Sequence, residues 1–458
     1  MKLNKNLSCF KSYDVRGKLG VEINEDVAYR IGRSLAQKYH ARNVVVGFDA
    51  RETSPNLARA VTGGICEAGA DVLEIGLSGT EEMYSAVFEM RADAGIEVTA
   101  SHNPIDYNGM KFVKSGSKPL SENEFLEIKA TAEQSSFREQ KNIGSVLNVK
   151  NEARGSYLKK LLNFVDLKSL RPLKIVINSG NGAAGPVIDA LQSAIEAQGV
   201  KVNFLRVHHS PDPSFPNGIP NPLLEENRSH TSDVVKSEKA DFGVAFDGDF
   251  DRCFIFDHLG NFVPGEYVVG LLSEIFLKKH KQATIIHDPR VVWNTIDVVN
   301  KCGGRPVNSK TGHTFIKHTM RKENAIYGGE MSAHHYFQEF AYCDSGMIPW
   351  LLIWELLSKK NINLHDLIFE RQRLFPSSGE INFKVNDAAK RVKMIKELFL
   401  ANANSVDEVD GLSMTFENWR FNLRQSNTEP LVRLNVESRG DHLLLKKKTQ
   451  ELTRLIKD

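Results

Sequence analysis

The sequence has almost no excess charge of either sign: 59 Lys and Arg against 57 Asp and Glu leave +2 over 458 residues. A chain so balanced gives no electrostatic case for a nucleic-acid or membrane-surface partner, which need a basic excess or stripe. Long hydrophobic runs are missing too. The most apolar stretch, residues 349–357, falls far short of the ~18–20 residues of a membrane-spanning helix. The opening MKLNKNLSCFKSYD has no continuous apolar core, so no secretory signal is expected there. Cysteine is scarce, odd in number and scattered: Cys9, Cys66, Cys253, Cys302 and Cys343 form no C-x-x-C pair. That argues against a disulfide framework and a thiolate zinc site and points to a cytoplasmic protein with reduced thiols. With 33 Gly, 16 Pro and 41% apolar residues, the composition is that of a globular protein.

What is present is repetition. A short β-branched run followed by a polar loop occurs at Val44-Val45-Val46-Gly47-Phe48-Asp49-Ala50-Arg51, again at Ile175-Val176-Ile177-Asn178-Ser179-Gly180-Asn181-Gly182, and again at Ile285-Ile286-His287-Asp288-Pro289-Arg290. Continuous apolar runs of this length are expected of strands buried on both faces, and a helix-like stretch follows each. Three α/β units with mostly parallel sheets are therefore expected, their loops at the carboxyl edges where ligands bind. The end of the chain differs. Residues 412–416, 419–423 and 431–437 read as strands, the last alternating Val432, Leu434 and Val436, and a polar-faced helix is expected over 441–457. At roughly 150 residues per domain the length suggests about three domains. The pattern gives four: 1–150, 151–255, 256–370 and 371–458, with 133–152 the most linker-like segment.

Two loops carry most of the chemistry. In Val98-Thr99-Ala100-Ser101-His102-Asn103-Pro104 an apolar strand ends in a hydroxyl, an imidazole and an Asn-Pro turn, which should expose Ser101 on a tight loop. With Lys111 nearby, such a serine suits a nucleophile or phosphoryl carrier, and it lacks the G-x-S-x-G setting of acyl-transfer enzymes. In Phe246-Asp247-Gly248-Asp249-Phe250-Asp251-Arg252 three carboxylates at i, i+2 and i+4 crowd like charge, which a cation would neutralise. An all-oxygen donor set favours a hard ion such as Mg²⁺ over zinc. An EF-hand is excluded, because its sixth and twelfth positions are Arg252 and His258. Two further loops suit sugar and phosphate: Gly328-Gly329-Glu330-Met331-Ser332-Ala333-His334, and Arg424-Gln425-Ser426-Asn427-Thr428-Glu429-Pro430 with Arg433.

Together, Thr99-Ala100-Ser101-His102-Asn103-Pro104, Asp247-Gly248-Asp249-Phe250-Asp251-Arg252, Gly329-Glu330-Met331-Ser332 and Arg424-Gln425-Ser426-Asn427-Thr428-Glu429-Pro430 resemble, in order and spacing, the four signature loops of the α-D-phosphohexomutase superfamily. The resemblance spans essentially the whole chain and is nearest to the bacterial phosphomannomutase branch that supplies GDP-mannose for surface polysaccharides. It implies three similar mixed/parallel α/β sandwich domains and a C-terminal α+β domain of the TATA-box-binding-protein type around a central cleft.

By the same resemblance, Ser101 is the phosphorylated residue, and Asp247, Asp249 and Asp251 hold one Mg²⁺ per site with an oxygen of that phosphoserine. Glu330 and Ser332 meet sugar hydroxyls. Arg424, Ser426, Asn427, Thr428 and Arg433 clamp a phosphate, and Arg16, His102, Lys111, Arg252, His313 and His334 line the reaction centre, with Lys111 a general acid/base candidate. The implied reaction interconverts mannose 6-phosphate and mannose 1-phosphate through a hexose 1,6-bisphosphate, which also serves as activator. A glucose-specific or dual-specificity mutase is the alternative, and hexose phosphates are the only partners expected. Two readings from other classes compete: a haloacid-dehalogenase-like phosphatase with Asp247 as nucleophile, and a non-enzymatic sugar-phosphate binder. The chain departs from the common pattern at Phe250 and Ala333, where glycine is frequent; Phe cannot reach positive φ cheaply, and Ala333 should narrow the space beside the sugar.

Overall fold

A computed structural model describes residues 6–425 and 431–457. The chain folds as two compact units, residues 1–262 with 337–361, and residues 263–336 with 362–458.

The first unit opens with a mixed sheet of β1 (Val15–Lys18), β2 (Asn43–Phe48), β3 (Asp71–Leu77), β4 (Ala94–Val98), β5 (Tyr107–Lys114) and β6 (Val146–Asn148), in the order β1-β5-β4-β2-β3-β6. Strands β4, β2, β3 and β6 run parallel, while β5 returns antiparallel between β4 and β1. The Val44–Val46 run lies in β2 at the centre of the sheet, its side chains buried as the unbroken apolar pattern requires. Helix α1 (Glu25–Tyr39) starts where Asn24 accepts a hydrogen bond from Val27 N–H at 3.0 Å, and it packs with α2 (Ser54–Glu67) over the sheet. The segment 133–152 is less of a linker than expected, since β6 lies within it and pairs with β3. The unit's second sheet contains β7 (Lys174–Asn178), β8 (Asn203–Val207), β9 (Phe242–Phe246) and β10 (Cys253–Phe256), ordered β10-β9-β7-β8. The apolar stretch 349–357 lies in a helix, Met347–Lys360, whose Trp350 and Trp354 pack edge-on against Phe204 of β8. Burying each indole is worth roughly 1.5–3 kcal/mol. Among the described residues no helix is long and apolar enough to cross a membrane.

In the second unit, strand Thr284–His287 runs parallel to Arg305–Asn308 on one side and Tyr327–Gly329 on the other. The C-terminal sheet is wholly antiparallel, in the order 381–384, 431–438, 419–425, 412–415, 405–407. The three strands and final helix expected from the sequence are present, the helix as His442–Lys457. Within this unit Arg420 donates to Glu437 (2.6 Å) and to the main-chain carbonyls of Pro289 (2.9 Å) and Arg290 (3.1 Å). Glu437 in turn accepts from the N–H groups of Val292 and Trp293 at 2.8 and 3.0 Å. This buried ion pair fixes the C-terminal sheet to the loop that follows Thr284–His287.

Helix Gly265–Lys279 buries the Glu266 side chain. Burial, reinforced by the negative charges of Asp288 and Glu437, pushes its carboxyl up from 4.5 to about 7. Between those values the folded protein holds a proton that the unfolded chain releases, so stability falls as pH rises through that window. Glu266→Gln should remove this dependence, gaining roughly 2–3 kcal/mol relative to wild type between pH 4.5 and 8. Denaturant titrations at the two pH values measure it; parallel pH dependence in the two proteins would refute the assignment.

Candidate active site

The first unit gathers eight of the expected residues. Strand β4 leads into Thr99 and the turn bearing Ser101, a residue only 2% exposed, so the serine is buried instead of displayed on an open loop. The reason is a set of close neighbours. Gly248 of the acidic loop approaches so near that a Cβ there would lie 2.7 Å from Ser101 O. Ser101 Oγ donates to Asp247 Oδ2 at 2.8 Å and lies 3.0 Å from His102 Nδ1.

Asp247, Asp249 and Asp251 follow β9 and are all buried, each offering a carboxylate oxygen within 4.8 Å of the others. Lys111, on β5, donates to Asp249 (2.8 Å) and to Asp251. The Nε atom of Arg252 stands 3.4 Å from Asp247 Oδ2. Arg16, on β1, lies 3.7 Å from Asp14 and 3.5 Å from the Asn103 side chain.

This crowding separates the titrations. Burial lifts the Asp247 carboxyl, and Asp249 adds to the rise. Burial acts the same way on Asp249 but is outweighed by Lys111 and Arg16, which hold it well below the carboxylate range. For Lys111, burial alone would favour the neutral amine; Asp249 and Asp251 reverse that and keep the ammonium charged. His102, 31% exposed along its side chain, is pushed down by desolvation and by Arg252 and Arg16, so its ring is neutral near pH 7.

The acidic loop fits a metal. Asp249 Oδ1 is buried with no hydrogen-bond partner among the described residues, the donors are all carboxylate oxygens, and one ammonium already sits among them as a cation.

Two residues missed by motif reading hold the serine turn from behind. Arg51, 2% exposed, donates to the main-chain carbonyls of Ser101 (3.0 Å), Asn103 (2.5 Å), Pro104 (2.9 Å) and Tyr107 (3.1 Å). Asp49 lies 3.6 Å from Arg51 and is hydrogen-bonded by Thr99, whose Oγ1 accepts from Ser101 N–H at 2.8 Å. Both the N–H and the C=O of Ser101 are thus tied to the Asp49-Arg51 pair. The signal was in the sequence: the same Asp-x-Arg closes the third repeat.

In the second unit that third repeat supplies Asp288 and Arg290. Arg290 donates to Asp288 (2.7 Å) and to Ser332 Oγ (3.3 Å), and stands 3.8 Å from Glu330. Glu330 accepts from Gly312 N–H (2.9 Å) and Tyr336 O–H (2.6 Å), which aim its carboxylate. His334 stacks near Tyr336, at 6.1 Å between ring centres, and His313 begins the helix His313–Glu323 beside Gly312. Ala333 takes a positive φ of 70°. Arg424 and Arg433 face each other across adjacent strands, a pairing of like charges that costs stability unless an anion intervenes. Here two carboxylates do so: Glu380, 3.5 Å from Arg290, 3.7 Å from Arg424 and 3.9 Å from Arg433, and Asp410, which accepts from Arg424 at 3.3 Å. Burial and the charge of Arg290 lower the Arg424 pKa. Three guanidinium groups around one carboxylate are the surroundings a phosphate monoester needs. Ser426, Asn427 and Thr428 lie outside the described residues.

Comparison with known proteins agrees with this architecture. Four family models match in order: phosphoglucomutase/phosphomannomutase alpha/beta/alpha domain I at residues 8–139, domain II at 155–260, domain III at 264–375, and the C-terminal domain at 380–453. A phosphomannomutase of Escherichia coli (strain K12) is 54% identical over 455 residues, covering 99% of this chain and 100% of that protein. A protein of Xanthomonas campestris pv. campestris (strain B100) named "phosphohexose mutases" is 50% identical, covering 98% and 99%. Among solved structures, a phosphoglucomutase/phosphomannomutase family protein from Burkholderia thailandensis superposes with a TM-score of 0.86 at 29% identity, covering 99% of this chain and 97% of that one.

Proposed function

Because the chain belongs to the phosphoglucomutase/phosphomannomutase family, we propose that it interconverts mannose 6-phosphate and mannose 1-phosphate, with phosphorylated Ser101 as the phosphoryl carrier. The observation that carries this reading is the Ser101 hydroxyl, held at 2.8 Å by one of three clustered carboxylates.

The bond from Ser101 Oγ to phosphorus breaks as a bond forms from phosphorus to the free sugar hydroxyl oxygen, and the proton the sugar hydroxyl loses passes through neighbouring groups to the departing Ser101 Oγ, beside which His102 Nδ1 stands at 3.0 Å. The products are unmodified Ser101 and a hexose 1,6-bisphosphate. After the intermediate reorients, its other phosphoryl group passes to Ser101 Oγ, whose proton leaves to a neighbouring acceptor. His102 Nδ1, at 3.0 Å and on a neutral ring, is placed to take it. Lys111, held as an ammonium, fits charge neutralisation and proton donation and does not fit a base in this arrangement. Arg252 and Arg16 add positive charge. Asp247, Asp249 and Asp251 would hold one Mg²⁺ with a phosphoserine oxygen, and the ion would neutralise charge spreading over the transferred group.

Recognition falls to the second unit. Glu330 and Ser332 read sugar hydroxyls with His313 and His334 beside them. Arg424 and Arg433, with Ser426, Asn427 and Thr428, clamp the non-reacting phosphate, Glu380 giving way as the internal anion. Mannose is preferred over glucose as the sugar because the 54%-identical relative is named a phosphomannomutase. Mannose 1-phosphate is the form from which GDP-mannose is made, and five free cysteines accord with a cytoplasmic site.

Two measurements test the reading. Mass spectrometry of the purified protein should find one phosphoryl group, on Ser101. Values of kcat/KM for mannose 1-phosphate, glucose 1-phosphate and glucosamine 1-phosphate should favour the first; a clear preference for glucose would overturn the mannose assignment.

A further inference from the structure

The acidic loop holds a side chain that a flexible metal loop would not choose. Phe250 sits between Asp249 and Asp251 in a left-handed conformation, φ 44°, with its ring fully buried. Glycine reaches this conformation freely and leaves it as freely; phenylalanine stays only where its surroundings over-determine it. The surroundings are Gly79 and the start of helix α3 (Thr80–Glu89). A Cβ on Gly79 would lie 2.2 Å from Phe250 Cε1 and 2.6 Å from Cδ1, so the ring occupies the space a side chain there would need. One residue on, Thr80 N–H donates to Asp249 O at 3.2 Å and Thr80 Oγ1 to Asp249 Oδ2 at 2.5 Å. The positive end of α3 thus faces the same carboxylate. The loop is gripped at two consecutive residues, Asp249 through hydrogen bonds and Phe250 through its ring.

We propose that Phe250 is a positioning residue for the metal: seated on Gly79, its ring locks the turn that presents Asp249 and Asp251 together before any ion arrives. The inference rests on the reading of this loop as the metal site and adds a cause for its shape. A ligand set ordered in advance loses less conformational freedom on binding than one that must be gathered by the ion. With glycine at the position, the strain would vanish and the order with it. A phenyl ring offers a hard cation no ligand atom, so its effect passes through the backbone of its two neighbours.

The probe is Mn²⁺ alone, titrated into the dephosphorylated full chain and followed by the EPR signal of the free ion. Phe250→Gly is expected to weaken binding at least tenfold, with far-UV circular dichroism unchanged. Gly79→Ala, whose Cβ would meet the Phe250 ring at 2.2 Å and the Asp249 main-chain oxygen at 2.5 Å, removes the seat of the ring and the close approach of the loop together, and is expected to weaken it at least as much. Phe250→Leu, which keeps an apolar side chain but not the planar ring, should fall between wild type and Phe250→Gly. In activity assays the Mg²⁺ concentration for half-maximal rate should rise in the same order, with KM for the sugar phosphate unchanged. A folded Phe250→Gly protein that binds Mn²⁺ as tightly as wild type would overturn the proposal. Asp249→Asn separates the two layers of argument: if it too binds Mn²⁺ like wild type, the loop is not the metal site, and the underlying reading falls instead.

Discussion

Ser101→Ala is expected to abolish phosphoryl transfer between the two sugar positions, lowering kcat by about 10⁴-fold or more, because the proposed carrier hydroxyl is gone. The fold should barely register the change. Ser101 Oγ makes one hydrogen bond to Asp247 and one contact with His102, and Asp247 retains Arg252 at 3.4 Å. The expected stability loss is about 1 kcal/mol. Coupled assays of mannose 1-phosphate formation, beside thermal melts of the same samples, measure both quantities. The variant also separates the competing chemistry: a phosphatase using Asp247 as nucleophile would keep most of its activity without Ser101. Retention of a tenth of the mutase rate would sink the phosphoserine mechanism.

Lys111→Met should have the largest effect on stability, and an effect that depends on metal. The ammonium is the cation between Asp249 and Asp251, both buried. Removing one partner of a buried charge group strands the others, at a cost of about 3–5 kcal/mol. In chelator this should lower Tm by roughly 5–15 °C. Saturating Mg²⁺ should recover most of that loss, since the ion supplies the missing positive charge to the same carboxylates. Activity should still fall by about 10²–10⁴-fold, because proton donation is not restored. A melting temperature equally depressed with and without Mg²⁺ would mean that the acidic loop does not receive the ion.

The loops of the candidate site could be read from the sequence because each is a short contiguous string at the end of a recognisable strand. Ser101, the three aspartates, Glu330 and the arginines of the C-terminal sheet are all of this kind. What escaped is what depends on pairs far apart in the chain. The burial of Ser101 comes from the approach of Gly248, which no local pattern signals. Phe250 could be seen as an odd residue, but the seat that explains it is Gly79. The ring of cations around Glu380 draws Arg290 from one domain and Arg424 and Arg433 from another. The strand Val146–Asn148 was hidden by its polar flanks, since an exposed edge strand three residues long leaves almost no periodicity to detect. In contrast, the Asp-x-Arg turns were visible at two strand ends as a repeat; only their task was not.

That task bears on how such a site can change over generations. Arg51 grips carbonyl oxygens at four positions of the serine turn, and every one of these bonds is to the main chain. A brace that reads only main chain is indifferent to what the loop displays. An exposed residue such as Ile105 can therefore be exchanged while the turn keeps its shape. The catalytic loop is open to diversification, and a library randomised there, with Asp49, Arg51 and Thr99 held constant, should return folded proteins far more often than one that varies the brace.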